Sequence, residues 1–183
     1  MDDNEPVNFQ DAWGLRKLTQ QEKEDYINAL GTDYRGPSID LDKIEVEERM
    51  PTVDEVKEAA KSVGVTIPGT DQDIQGMIDN SQAMSLPNDT IYVPQDPNLS
   101  DEKLAAYTNH EIDHQYTYQT EDPKEVFEDL VNEALMGGSQ YNYDPSVENL
   151  TDIPTREGQS QYIQDYSEDY LSGNPVDCYK ALD

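Results

Sequence analysis

The two histidines among the 183 residues stand four positions apart with a glutamate after the first, in His110-Glu111-Ile112-Asp113-His114. No other segment constrains the fold as much. On an α-helix, residues four apart lie one turn apart, so both imidazoles leave the same face at a separation that lets them hold one tetrahedral ion. The spacing predicts a helix here, with one zinc ion as its cofactor. Glu111 is placed to take a proton from a water that the metal has acidified, the general-base role in metal-assisted hydrolysis. A mononuclear hydrolytic site also needs a third protein ligand, leaving the fourth position for water. The plainer reading is a polar helix face on which two histidines coincide. Asp113, a charged residue just before His114, favours it; it falls on a different side of the helix from the pair and is expected to face solvent or the acidic surface.

Composition limits the partners. Asp and Glu number 40 against 12 Lys and Arg, a formal charge of −28, and the acids are spread over the whole length. Nucleic acid and anionic membranes demand a basic patch, which this balance does not supply. The acidity reads as solubility or adaptation to high salt. Calcium is a second reading: Asp71-Gln72-Asp73 and Asp96-Pro97-Asn98 offer oxygen ligands, though without the spacing of an EF-hand loop. Hydrophobic residues make up 34% with twelve tyrosines included, so the core must be lean and partly built from rings whose hydroxyls need partners. A metal bound by the native state alone would add to its stability. Cys178 stands alone, which excludes an intrachain disulfide. Met1-Asp2-Asp3-Asn4-Glu5 is acidic where a secretory signal is basic and then apolar, and no stretch reaches the roughly 18 apolar residues of a membrane span. A soluble protein is expected, cytoplasmic or exported by a route other than the general one.

A chain of this length fits one domain. Residues 1–17 carry little periodicity and read as an extended arm, which Phe9 and Trp13 would anchor on a body spanning 18–183. Thr19 caps a helix over Gln20 to Leu30, with Glu22 completing a capping box and Gly31 ending it. Ile39 to Glu47 alternates, with a register change at Asp42-Lys43, as in a bulged strand. Pro51 and Thr52 open a second helix carrying Val53, Val56, Ala59, Ala60 and Val63, stopped by Gly64. Val65 to Ile67 reads as a short strand, Asp71 to Ile78 as a helix, and Thr90 to Pro94 as a β-branched and aromatic strand. Ser100 caps the helix that carries both histidines and runs to about Gln119. Asp122-Pro123 begins another with Val126, Phe127, Leu130 and Val131 on its apolar face, closed by Gly137-Gly138. A last helix runs from about Thr155 to Leu171. Mixed helix and strand followed by three helices predicts an α+β domain, a small sheet packed on a helical half.

Two glutamates compete for the third ligand position. Glu133 borders the apolar face of its helix, and Glu157 has small neighbours, Gly158 and Ser160, that permit close approach to the histidine helix. Either could instead be a solvated helix glutamate. Asn132-Glu133-Ala134 resembles the ligand-bearing helix of thermolysin-type gluzincins. A longer series runs through Leu18-Thr19 with Glu22, Ile39-Asp40 with Ile44, Ile91-Tyr92 with Pro94, His110 to Gln119, Tyr141 with Tyr143, and Glu157, Gln159, Ile163, Asp165 and Tyr166. In that order it resembles the zincin-like metallopeptidase domains associated with bacterial contractile injection and type VI secretion systems. It departs from their pattern at Tyr116 and Thr117, where they often carry Trp and Gln. The resemblance implies a zincin-like fold, peptide-bond hydrolysis, and one catalytic zinc held by His110, His114 and Glu157. It also implies a protein or peptide substrate and service as a secreted effector or processing protease, with a secretion apparatus as partner.

In that reading Glu111 is the base, and a phenolic hydroxyl from Tyr143, with Tyr141 and Tyr162 as alternatives, assists the oxyanion. Packing is the commoner fate of a tyrosine. Two other readings stand beside the hydrolase: an interaction module of the same shape that keeps a metal for stability and cuts nothing, and an acidic mimic that occupies a basic partner surface through charge.

Overall fold

A computed structural model describes residues 15–30, 39–94, 98–135, 141–177 and 179. Helix starts follow their caps. Strand β1 (Leu15–Lys17) leads into helix α1 (Gln20–Leu30), where the Glu22 N–H donates to Thr19 Oγ1 at 3.1 Å and the Thr19 N–H returns to the Glu22 carboxylate at 2.7 Å. The same reciprocal box opens α2 (Val53–Ser62) through Thr52 and Glu55, and α3 (Asp71–Asn80) through Thr70 and Asp73. Each box satisfies two donors that a helix start leaves without partners, and such a cap is worth about 1 kcal/mol. Two acids of one calcium candidate have partners here: Asp73 caps α3 and Asp71 pairs with Lys57. Helix α4 (Asp101–Thr120) starts at Ser100, α5 (Pro123–Leu135) has proline at its first position, and α6 (Arg156–Leu171) starts at Thr155, whose Oγ1 accepts the Gly158 N–H at 3.1 Å.

Strands β2 (Glu45–Glu47), β3 (Met84–Leu86) and β4 (Thr90–Tyr92) join β1 in a four-stranded sheet of order β1-β2-β4-β3. The central pair is parallel and both outer pairs are antiparallel. The β3–β4 turn holds Asp89 at φ 58°, a left-handed conformation that Asp tolerates better than most residues. With the helices packed on this sheet, the chain is an α+β domain.

The sheet departs from the expected pattern at four places. The last three residues of the expected arm are β1, paired with β2. Only the end of Ile39–Glu47 is a strand, because residues 41–43 form a turn. Val65 to Ile67 is not a strand; the Val65 N–H donates to Ala60 O at 2.8 Å and finishes the end of α2, with Gly64 at φ 79°. Strand β3 has three residues, too few to display a period. Phe9, Trp13, Gly31, the Asp96-Pro97 part of the second calcium candidate, Gly137-Gly138 and Cys178 lie outside the described residues.

Two apolar clusters flank α4. Tyr26, Val46, Ile91, Tyr162 and Ile163 gather α1, β2, β4 and α6 on one side. Val56, Ile74, Leu86, Phe127 and Val131 gather α2, α3, β3 and α5 on the other. Helix α4 contributes Ile112 to the first and Tyr118 to the second, and every residue from Ala106 to Gln115 is buried. A polar helix in that position must find its hydrogen bonds from its neighbours. Gln115 Nε2 lies within donating distance of Ser85 Oγ, Leu86 O and Thr90 O at 2.7, 2.8 and 3.2 Å, which ties α4 to the β3–β4 hairpin. Asn109 Nδ2 donates to Ser167 Oγ at 3.1 Å, tying it to α6. No helix among the described residues is long and apolar enough to cross a membrane.

Candidate metal centre

Helices α4 and α6 share the most extensive contact of any described pair, and the candidate site lies between them. His110 Nε2 and His114 Nε2 are 3.1 Å apart. Glu157 Oε2 lies 3.3 Å from the first and 3.6 Å from the second. A tetrahedral ion with nitrogen and oxygen ligands at about 2.0–2.1 Å requires ligand atoms roughly 3.3 Å from one another, and the three measured edges bracket that value. Two imidazoles and one carboxylate are also the donor set of a mononuclear zinc site. This buried group can hold a metal ion, and it is the one cluster of its kind among the described residues.

Glu133, the alternative third ligand, does not join the three. Its Oε1 accepts the Arg156 N–H at 3.0 Å and its Oε2 the Glu157 N–H at 2.8 Å. It thereby closes the start of α6 and fixes the backbone of the residue that faces the histidines. The Arg156 side chain pairs in turn with Glu121 and Asp129, each at 3.0 Å. Placing Glu133 required knowing that α5 ends beside α6, which no local pattern reveals.

Two carboxyls at the site are driven apart. Burial works to raise Glu157, but His114 and His110 outweigh it and hold this carboxyl well below the ordinary carboxylate range. Burial pushes Glu111 up to about 8, with His110 opposing and the charge of Glu157 adding to the rise. Burial also acts to lower His114, yet Glu157 and Asp113 hold its pKa above the ordinary value. Glu111 Oε2 is buried without a hydrogen-bond partner among the described residues. The arrangement pairs a carboxyl held low by two imidazoles with one that burial raises towards neutral pH, so their charged forms are favoured to opposite degrees.

The tyrosines sort differently from expectation. Tyr143 donates its hydroxyl to the carboxylate of Asp165, a residue of the cavity wall, and burial together with that bond raises its pKa far above the ordinary value. Tyr162 is wholly buried and donates to Pro145 O at 3.2 Å. Tyr141 does line the cavity over the histidines. Tyr118 enters the sequence reading only within the stretch His110 to Gln119, with no role at the site, although it stands two helical turns beyond Glu111 on the same face. Its hydroxyl is buried without a partner among the described residues, and burial and then the charge of Glu111 raise its pKa. Asp113, expected at the surface, is 2% exposed, because α6 covers that side of α4.

Above the three ligand atoms lies a cavity of about 480 Å³. His110, Glu111 and His114 form part of its wall, Val56, Leu86, Phe127 and Leu130 line it with apolar surface, and Gln161, Gln164 and Glu168 line it with polar groups. Comparison of the chain with protein-family models, with curated proteins and with solved structures finds no match in any of the three.

Proposed function

We propose that this protein is a zinc-dependent metallopeptidase of zincin-like architecture. The observation that carries the proposal is the convergence of His110 Nε2, His114 Nε2 and Glu157 Oε2 within 3.1–3.6 Å of one another, on the wall of a cavity that Glu111 also lines, its Oε2 without a hydrogen-bond partner among the described residues. When bound, zinc supplies the acidification of a water molecule and the polarisation of a carbonyl.

The chain's own residues do the rest. His110, His114 and Glu157 bind the ion. Glu111 takes a proton at its carboxylate and returns it to the leaving amine; a carboxyl raised by burial can do both near neutrality. Strand β3 is an edge strand of the sheet among the described residues, and Ala83 to Leu86 line the cavity, so an extended peptide can lie along that edge through main-chain hydrogen bonds. The apolar wall of Val56, Leu86, Phe127 and Leu130 then receives one of its side chains and excludes water. Service as a secreted effector or processing protease is proposed on the resemblance to the secretion-associated domains.

The test is Glu111→Gln in the zinc-loaded protein, with peptide hydrolysis and zinc content measured together. The variant keeps its zinc and loses about 100- to 10,000-fold in rate. A variant as active as the wild type overturns the proposal, and a wild type that binds zinc but cleaves no peptide leaves the interaction module in its place.

A further inference from the structure

The face of α6 that presents Glu157 also presents Ser160, one turn further on, and both meet the histidine helix. Ser160 is 1% exposed. Its Oγ lies 2.9 Å from Asp113 Oδ2 and 3.3 Å from His114 Nδ1. The other imidazole is held differently, for His110 Nδ1 is buried without a hydrogen-bond partner among the described residues.

Chemistry gives this contact one direction. With its Nε2 offered to a metal, His114 carries its proton on Nδ1 and can only donate there. A carboxylate can only accept, and a hydroxyl can do both. The protons therefore run from His114 Nδ1–H to Ser160 Oγ, and from Ser160 O–H to Asp113 Oδ2. Burying a carboxylate is costly unless it is hydrogen-bonded, and Asp113 Oδ2 takes its bond from the hydroxyl that also reaches a candidate metal ligand.

We propose that Ser160 and Asp113 are positioning residues for the metal site, a serine-bridged carboxylate that fixes the tautomer and ring angle of His114 and strengthens it as a ligand. Partners of this kind orient metal-binding histidines and are worth about 10- to 100-fold in metal affinity. The proposal rests on the metal reading above and adds to it an outer partner set, in which α6 supplies both a ligand, Glu157, and the bridge to another, Ser160. It makes the two histidines unequal: His114 is held from both ends and, among the described residues, His110 from the metal side alone.

The test uses the whole chain and zinc. With two histidines present, isotope-labelled histidine spectra resolve each ring separately. In the zinc-loaded protein the His114 Nδ1 proton exchanges with solvent more slowly than that of His110, and Ser160→Ala removes the difference. By competition with a chromophoric chelator, Ser160→Ala weakens zinc binding about 10- to 100-fold. Ser160→Thr, which keeps the hydroxyl, restores most of the loss. Asp113→Asn weakens zinc on its own but adds little in the Ser160→Ala background, because its route to His114 is already cut. Zinc affinity of Ser160→Ala within about twofold of the wild type, well below the loss such partners cause, overturns the proposal. So do additive losses in the double variant, or equal exchange at both rings. Should Ser160→Ala fail to fold, the exchange comparison in the wild type and the affinity of Asp113→Asn decide. A wild type that binds no zinc overturns the metal reading and this proposal together, whereas normal zinc binding with an indifferent Ser160→Ala overturns this proposal alone.

Discussion

Glu111 and Glu157 flank the same pair of imidazoles and are driven in opposite directions, which makes their titration a direct probe of the site. For Glu111, burial lifts the pKa from 4.5 to about 8. An acid raised on folding weakens the fold where it must ionise, so its contribution to the metal-free protein is most favourable below about pH 4.5 and declines as pH rises towards about 8. Glu111→Gln removes that decline. Calorimetry of the metal-free proteins should show the variant melting no lower than the wild type near pH 8, with the gap in its favour shrinking as the pH is lowered. A variant that melts lower at every pH contradicts a carboxyl raised by burial at this position. His110, Glu111 and His114 were legible in the sequence because their relation is one turn of helix and nothing more. Glu157 emerged from its resemblance and its small neighbours. Asp113 was misplaced, and the bond of Tyr143 to Asp165 was not foreseen, because these surroundings come from α6, an element distant in sequence whose docking no helix wheel contains.

Among the elements, α6 depends on its first turn. Glu133 accepts two N–H groups there through separate oxygens, at 3.0 and 2.8 Å. In Glu133→Gln one of those acceptors becomes a donor, so one N–H loses its partner and Glu157 loses part of its support. Zinc affinity by chelator competition should fall by about tenfold, the lower end of the range for outer partners, although all three ligands remain; an unchanged affinity contradicts the clamp. The capping box of α2 offers a second test. The Glu55 carboxylate accepts the Thr52 N–H at 2.6 Å and pairs with Arg49, and its bond to Arg49, foremost, lowers its pKa from 4.5 to about 2. An acid depressed on folding stabilises above its unfolded pKa and loses that effect as pH falls through the folded value. Glu55→Gln should therefore melt lower than the wild type at neutral pH, with the difference fading between about pH 4.5 and 2; a constant difference contradicts the assignment. Helices with boxed caps could be read from sequence because the signal sits within four residues. Strand β4 could be read from its β-branched and aromatic residues and β2 as the end of an alternating run, but β1 and β3 could not, since these three-residue strands owe their place to pairing with β2 and β4 rather than to a pattern of their own.

At the scale of the whole molecule, a lean apolar core surrounds a helix that is polar and buried from Ala106 to Gln115, under a formal charge of −28. Self-repulsion on that scale opposes compaction and is screened by salt. The metal-free protein should accordingly melt higher as monovalent salt is raised, and a melting temperature indifferent to salt contradicts this account. Binding of one ion by the folded state alone contributes about 2.7 kcal/mol at a free concentration about a hundred times its Kd, which for a domain of this size is a rise of roughly 5–10 °C. The α+β class was legible from the order of helical and alternating segments, but the way α4 is enclosed was not, because its residues are polar and composition places such a helix at the surface. The most direct test of the central claim is the zinc content of the purified protein and of its Glu157→Ala and Glu133→Ala variants, measured by elemental analysis after dialysis. The account predicts one zinc per chain in the wild type, little or none in Glu157→Ala, and a weakened but occupied site in Glu133→Ala. A wild type free of zinc after exposure to it, or a Glu157→Ala variant that holds zinc as tightly as the wild type, contradicts it.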